Sequence, residues 1–214
     1  MKKRIFLVFT AFLLTLIVFF CLFGFVDHES PSLEQISFTI DAPYLNVVQN
    51  LAKKDALEQI IKENNAILTE KKWEKFDVEV PKRRLRLKEY KISGILHFIV
   101  EKNDKFLGDL VIPFTQNINF DKNALKIDIK SENEQKNIVK YNKNIKITPI
   151  SDENKTFFEI SNKLIIKNKI FFLFRDFMDK KVVESNKKDI KQLEANLKNT
   201  INRSSDSKIS IKFK

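Results

Sequence analysis

The sequence is short of the residues that most catalytic and phosphate-binding motifs require. Its 214 residues include three glycines, two histidines and one cysteine. A dinucleotide fingerprint or a P-loop gathers more glycine in one place than this chain can supply. Two histidines and one cysteine exclude a zinc cluster of the usual Cys/His kind. No Gly-x-Ser-x-Gly elbow occurs, so the common serine hydrolase arrangement is missing. Cys21 lies inside an N-terminal apolar run, which leaves Asp27 to Lys214 without thiol, disulfide or redox chemistry. These absences predict a protein that is not an enzyme and holds no cofactor or metal.

What is abundant is phenylalanine, at 20 residues, and positive charge, with 39 Lys+Arg against 28 Asp+Glu and a net charge of +11. Charged residues at 31% and hydrophobic ones at 43% predict a folded globular part. Lysine, asparagine, isoleucine and phenylalanine dominate, as in the product of an AT-rich genome, so part of the charge reflects codon bias and not an anionic partner.

Lys2, Lys3 and Arg4 precede 22 uncharged residues, Ile5 to Val26. As a helix that run is roughly 33 Å long, enough to cross a bilayer core of about 30 Å. The basic end would stay in the cytoplasm and send the rest of the chain across. The run ends without an Ala-x-Ala site, and Phe20 precedes Cys21 where a lipobox needs a small residue. The expectation is an uncleaved anchor over residues 1–26, a linker over 27–35 and a periplasmic domain over 36–214. That places the protein in a bacterial inner membrane as a single-pass protein, with cleavage or lipidation as the competing fates.

Within the domain, Ile36 to Ile40 reads as a strand. Leu45 to Ala52 and Asp55 to Asn64 read as helix, behind a turn at Asp41 and Pro43. From Phe76 the apolar period falls to two, predicting strands over Phe76–Val80, Arg83–Tyr90, Ile92–Glu101, Leu107–Phe120 and Ala124–Lys130. Short turns between them favour antiparallel pairing. Ile145, Ile147 and Phe157–Ile160 suggest further short strands. A helix from Ser161 to about Asp179 is apolar on nearly every side at Ile170–Phe174. A short strand at Lys181–Glu184, an amphipathic helix over Lys188–Ile201 and a strand over Lys208–Lys214 close the chain. The fold class predicted is α+β: after the transmembrane helix, a curved antiparallel sheet packed against a long apolar helix and a second C-terminal helix.

The C-terminal order, with Phe177-Met178-Asp179-Lys180-Lys181-Val182-Val183, then Leu193, Leu197 and Ile201, then Ser207 to Phe213, resembles the YceB-like family of bacterial envelope lipoproteins. Phe76–Tyr90, Ile92–Glu101 and Ala124–Lys130 fit the same pattern. The resemblance implies a relative of tubular lipid-binding folds, in which a long helix lies in a curved sheet around an apolar groove. Here a transmembrane anchor would replace the lipid anchor.

Two surfaces and one modification follow as expectations. Leu164, Phe171, Phe174, Phe177 and Met178, with Leu96, Phe98 and Leu110 opposite, would line a groove for a phospholipid or another hydrophobic ligand. The competing reading is a filled core. Lys82, Arg84, Arg86 and Lys88 share one face of a strand and form a basic contact stripe for anionic headgroups or an acidic partner. The plainer reading is the wet face of a sheet. A non-catalytic envelope scaffold, binding a protein partner through this stripe or a sheet edge, is the alternative function. Nucleic acid is not expected, since no recognised reading module is present. Asn154, in Asp152-Glu153-Asn154-Lys155-Thr156, fits an extended bacterial N-glycosylation sequon. His97 reads as structural, and the carboxylate pairs Asp104 with Asp109 and Glu132 with Glu134 read as solvated surface.

Overall fold

The computed structural model describes residues 24–52, 56–63, 66–79, 91–104, 108–132, 138–150 and 154–205, and the isolated positions 12, 14, 15 and 18. Strand β1 (Phe25–Ile40) leads into helices α1 (Tyr44–Leu51) and α2 (Ala56–Glu63). Six strands follow: β2 (Ala66–Glu79), β3 (Lys91–Asp104), β4 (Gly108–Phe120), β5 (Leu125–Ser131), β6 (Ile138–Pro149) and β7 (Thr156–Phe171). One 3-10 turn (Phe172–Phe174) joins β7 to helix α3 (Arg175–Ser205). The strands form one antiparallel sheet in the order β1-β7-β6-β5-β4-β3-β2. Strands β2 to β7 are a meander, and β1 closes the far edge beside β7.

Three corrections to the expected fold class follow. First, Phe25 and Val26, counted as the end of a membrane span, are strand residues paired with Phe171 and Ile170, and the expected linker continues that strand. Among the described residues no helix is long and apolar enough to cross a membrane. The transmembrane helix, and the single-pass inner-membrane placement built on it, are therefore corrected. The remainder of Ile5–Val26 lies outside the described residues, apart from the isolated positions.

Second, the apolar helix expected from Ser161 is a strand for its first half. Along β7, Phe158, Ile160, Asn162, Leu164 and Ile166 are buried, while the residues between them are half-buried or exposed. That is the period of two that β-branched residues on a pleated surface produce. The all-round apolar run Ile170–Phe174 gave no periodicity to separate helix from strand, an ambiguity common to short apolar runs.

Third, Arg175–Ser205 is one helix, and Lys181–Glu184 is part of it and not a strand; the closing strand expected over Lys208–Lys214 lies outside the described residues. At about 1.5 Å per residue, the 31 residues of α3 span roughly 46 Å. Met178, Val182, Asn186, Ile190, Leu193, Leu197 and Ile201 are buried at helical spacing and form its sheet-facing stripe. The break expected near Asn186 is instead where the helix is fastened. Asn186 Nδ2 donates to Ser32 Oγ at 2.9 Å and to the Asn162 carbonyl at 3.1 Å, and its Oδ1 accepts from Asn162 Nδ2 at 2.7 Å. At the helix start, His28 Nε2 lies 2.8 Å from Asp179 Oδ1. Burial pushes the Asp179 carboxyl up, but hydrogen bonds from Ser30 and His28 outweigh it and hold the group below its ordinary value.

The interior divides in two. Beneath the C-terminal half of α3, Ile190, Leu193, Leu197 and Ile201 pack with Val47 of α1 against Phe158 and Ile147. Phe38 stacks on Phe158 there with ring centroids 4.8 Å apart. Beneath the N-terminal half, Val182 faces Leu96, Phe98, Ile112, Phe114, Leu164 and Ile166 across a wider curve of the sheet. Register shifts in β2 at Leu68/Glu70 and Trp73/Lys75, and in β6 at Ile138/Lys140, mark bulges of the kind that bend strands. Next to the second, Gly94 of β3 takes the Trp73 ring at close range. A Cβ there would lie 2.8 Å from the indole and 3.3 Å from the Lys75 carbonyl.

Candidate ligand cavity

The interior holds a cavity, lined mostly by the cluster beneath the N-terminal half of α3 and reaching Ile145, Ile147, Leu193 and Leu197 of the other. This cavity, of about 550 Å³, lies between the concave sheet face, α2 and α3. This is within the range of about 300–1,000 Å³ usual for small-molecule sites. Its walls come from alternate positions of successive strands. β3 gives Phe98 and Val100, β4 gives Leu110, Ile112, Phe114 and Gln116, and β5 gives Ile127 and Ile129. From β6 come Tyr141, Lys143, Ile145 and Ile147, and from β7 Leu164 and Ile166. Ile60 and Ile61 of α2 and Val182 of α3 close the apolar lining. An aromatic row runs along the wall. Phe98 stacks on Phe114 at 5.4 Å, and Phe114 meets Tyr141 edge-on at 5.3 Å.

Charged groups gather on the helix side. Lys181, Glu184, Lys188 and Asp189 border the cavity from α3. Lys102, at the end of β3, lies 4.0 Å from Asp189. Both side chains keep contact with water, so the pair contributes little to stability.

Three of the eight expected groove residues, Phe98, Leu110 and Leu164, line this cavity. Leu96 and Met178 are buried beside it without lining it. Phe171, Phe174 and Phe177 are elsewhere. Phe171 ends β7 and meets Phe25 edge-on at 5.9 Å, while Phe174 and Phe177 are more than half exposed at the turn into α3. The basic stripe Lys82, Arg84, Arg86 and Lys88 lies outside the described residues. Asn154 is exposed, but Thr156, two positions on, is fully buried with its hydroxyl donating to the Ala42 carbonyl at 2.7 Å.

His97 points to the convex face, opposite Leu96 and Phe98. Its Nε2 lies 2.7 Å from Glu74 Oε2 and its Nδ1 2.5 Å from Glu132 Oε1, which also accepts from Thr115 Oγ1 at 2.7 Å. The hydrogen bonds to Glu74 and then Glu132 raise the imidazole above its ordinary value. Glu132 is held low, first by the bond from His97 and then by that from Thr115. The trio ties β2, β3, β4 and the end of β5 together away from the cavity. Among the described residues no group of three or more His, Cys, Asp or Glu could hold a metal ion.

Sequence reasoning missed most of the wall, including two polar residues of the sheet side, Gln116 and Lys143. The signal that finds them is a polar residue at an inward position of an alternating strand. Gln116 stands between Phe114 and Ile118, and Lys143 between Tyr141 and Ile145. Lys143 was hidden because the strand expected around Ile145 and Ile147 had no defined start.

No family model and no curated protein matches this chain. Solved structures do. A protein of unknown function, SA2116 from Staphylococcus aureus, aligns over 84% of this chain and 99% of its own, at 11% identity and a TM-score of 0.51. The di-domain ARO/CYC protein StfQ from the steffimycin biosynthetic pathway aligns over 83% of this chain and 53% of its own, at 10% identity and a TM-score of 0.51. A START superfamily protein from Mycobacterium smegmatis aligns over 80% of this chain and 98% of its own, at 10% identity and a TM-score of 0.46. The likeness is one of fold: a long C-terminal helix gripped by a curved antiparallel sheet, the helix-grip arrangement.

Proposed function

We propose that this domain binds a lipid or another hydrophobic small molecule in the cavity between α3 and the sheet, without chemical conversion of it. One observation carries the reading. Between the sheet and α3 lies a cavity whose sheet wall is mostly Ile, Leu, Val and Phe, with Gln116, Tyr141 and Lys143 among them and charged residues of α3 at its border. Close-packed interiors leave few voids larger than a water molecule, so a hollow of this size is room for an occupant. Binding would follow from removing apolar ligand surface from water, at about 25 cal/mol per Å². The His97 trio, the most strongly hydrogen-bonded titratable cluster described, faces away from the cavity and offers it no acid or base.

Native mass spectrometry after gentle extraction tests the proposal. The expected result is a bound species of lipid mass, lost in Val100→Trp and in Ile127→Trp, each of which puts an indole into the cavity. Two variants guard against one of them failing to fold. A wild-type protein that carries nothing, and takes up neither dodecanol nor dodecanoate when these are added, refutes it.

A further inference from the structure

The cavity wall carries a polar pair where the strand pattern calls for apolar residues. Leu96 of β3 pairs with Gln116 of β4, Gln116 with Ile129 of β5, Ile129 with Lys143 of β6, and Lys143 with Asn162 of β7. Directly opposed residues of an antiparallel pair share a face, so all five point inward along one row across the sheet. Asn162 is committed to Asn186 of α3. Gln116 and Lys143 are not so committed, and both line the cavity. Strands lie about 4.8 Å apart, which sets their backbones roughly 10 Å apart with Ile129 between them.

Each member of the pair lacks the partner its chemistry asks for. Gln116 is 94% buried by its 6% exposure, and its Oε1 has no hydrogen-bond partner. A buried amide left so costs free energy unless something in the cavity meets it. Lys143 holds its ammonium 5.4 Å from the centroid of the Tyr141 ring, and no carboxylate among the described residues pairs with it. An ammonium beside an aromatic wall and a half-satisfied amide, set either side of one isoleucine, form an arrangement for a small anionic group.

We propose that the ligand is an amphipathic acid, whose anionic head sits over Ile129 between Lys143 and Gln116 while its chain fills the apolar space lined by Phe98, Ile112 and Ile166. The proposal rests on the reading of the cavity as a hydrophobic ligand site and adds the polarity of the ligand. Lys143 supplies the charge. Gln116 supplies a directed hydrogen bond, since rotation of its amide exchanges donor for acceptor. A carboxylate and a phosphate monoester share this chemistry, and both are probed.

The test is titration calorimetry of the full chain with dodecanoate, dodecyl phosphate and dodecanol, each below its micellar concentration. Either acid is expected to bind at least about tenfold more tightly than the alcohol, as a charge-assisted hydrogen bond in a dry site allows. Lys143→Met is expected to remove that preference, so that both acids bind no more tightly than dodecanol does to the same variant. Lys143→Gln repeats the test with a polar side chain, and Gln116→Leu is expected to reduce the preference a few-fold. Equal binding of acids and alcohol by the wild type overturns the proposal and leaves the hydrophobic site standing. So does a preference that survives both Lys143 variants. Binding of none of the three probes counts against the cavity reading itself, which separates the two failures.

Discussion

Replacing Asn186 by alanine removes the polar clasp that fixes α3 across the sheet. Three hydrogen bonds are lost, two to side chains and one to the Asn162 carbonyl, all in a fully buried setting. Each buried bond contributes about 1 kcal/mol net, and partners left unsatisfied cost more than that. The expected loss is therefore about 3–4 kcal/mol, a large share of the roughly 5–15 kcal/mol that holds a domain together. With a urea slope of about 2 kcal/mol per molar, the midpoint falls by roughly 1.5–2 M. Equilibrium urea unfolding followed by far-UV circular dichroism measures this. The companion variant, Ser32→Ala/Asn162→Val/Asn186→Leu, removes the side-chain partners at once. Because only the Asn162 backbone carbonyl then loses a donor, it is expected to recover much of the loss. If Asn186→Ala alone shifts the midpoint by less than about 0.5 M, the clasp contributes no more than an ordinary surface contact and the argument fails.

Other perturbations separate the two halves of the interior and the two titrating clusters. Phe158→Ala, off the cavity wall, should cost about 3–5 kcal/mol, whereas Ile112→Ala, on the cavity wall, should fall at or below the lower end of the ~2–5 kcal/mol range for such truncations; thermal melts compare them. His97 has a raised folded value, so its contribution is full below the ordinary histidine value and fades as pH rises through the folded one. Asp179 has a lowered folded value, so its contribution is full above the ordinary carboxylate value and is lost as pH falls through the folded one. Melting temperature against pH should lose the first dependence in His97→Gln and the second in Asp179→Asn. Gly94→Val should destabilise by displacing the Trp73 ring, seen as a shift in indole fluorescence, because the Lys75 carbonyl behind it cannot move aside cheaply.

The middle of the sheet was legible in the sequence because one of its faces is wet. Ala124–Lys130 alternates apolar with polar residues and Ile92–Glu101 does so in part, and both are strands with boundaries close to those expected. The two short helices were legible for the matching reason, a helical spacing of Leu45, Val48 and Leu51 and of Ile60 and Ile61. What failed were segments whose local signal is silent or misleading. Ile170–Phe174 is apolar throughout and carries no period. Around Asn186, a run of polar residues looks like a break in a helix until Ser32 and Asn162 are seen to meet it. Those partners lie 154 and 24 positions away, which no local pattern can report. The candidate site was legible only in kind. Phe98 and Leu110 were named on expected strands, whereas Leu164 was named with Phe171, Phe174 and Phe177 on an expected apolar helix and lines the cavity from β7 instead.

The two edges of the sheet bear on how this chain meets others. Among the described residues the sheet ends at β1 and β2, and the backbone groups of an edge strand invite strands from neighbouring molecules. Here β1 has Pro31 near its middle, which removes a donor from that edge, with Asp27, Glu29 and Glu34 along it. At the other edge, β2 alternates Glu70, Lys71, Lys72, Glu74 and Lys75 and is broken by two bulges. Both edges are thus built against strand addition. Self-association through cross-sheet pairing is discouraged at high concentration, and a partner protein that docks by adding a strand would find neither margin receptive.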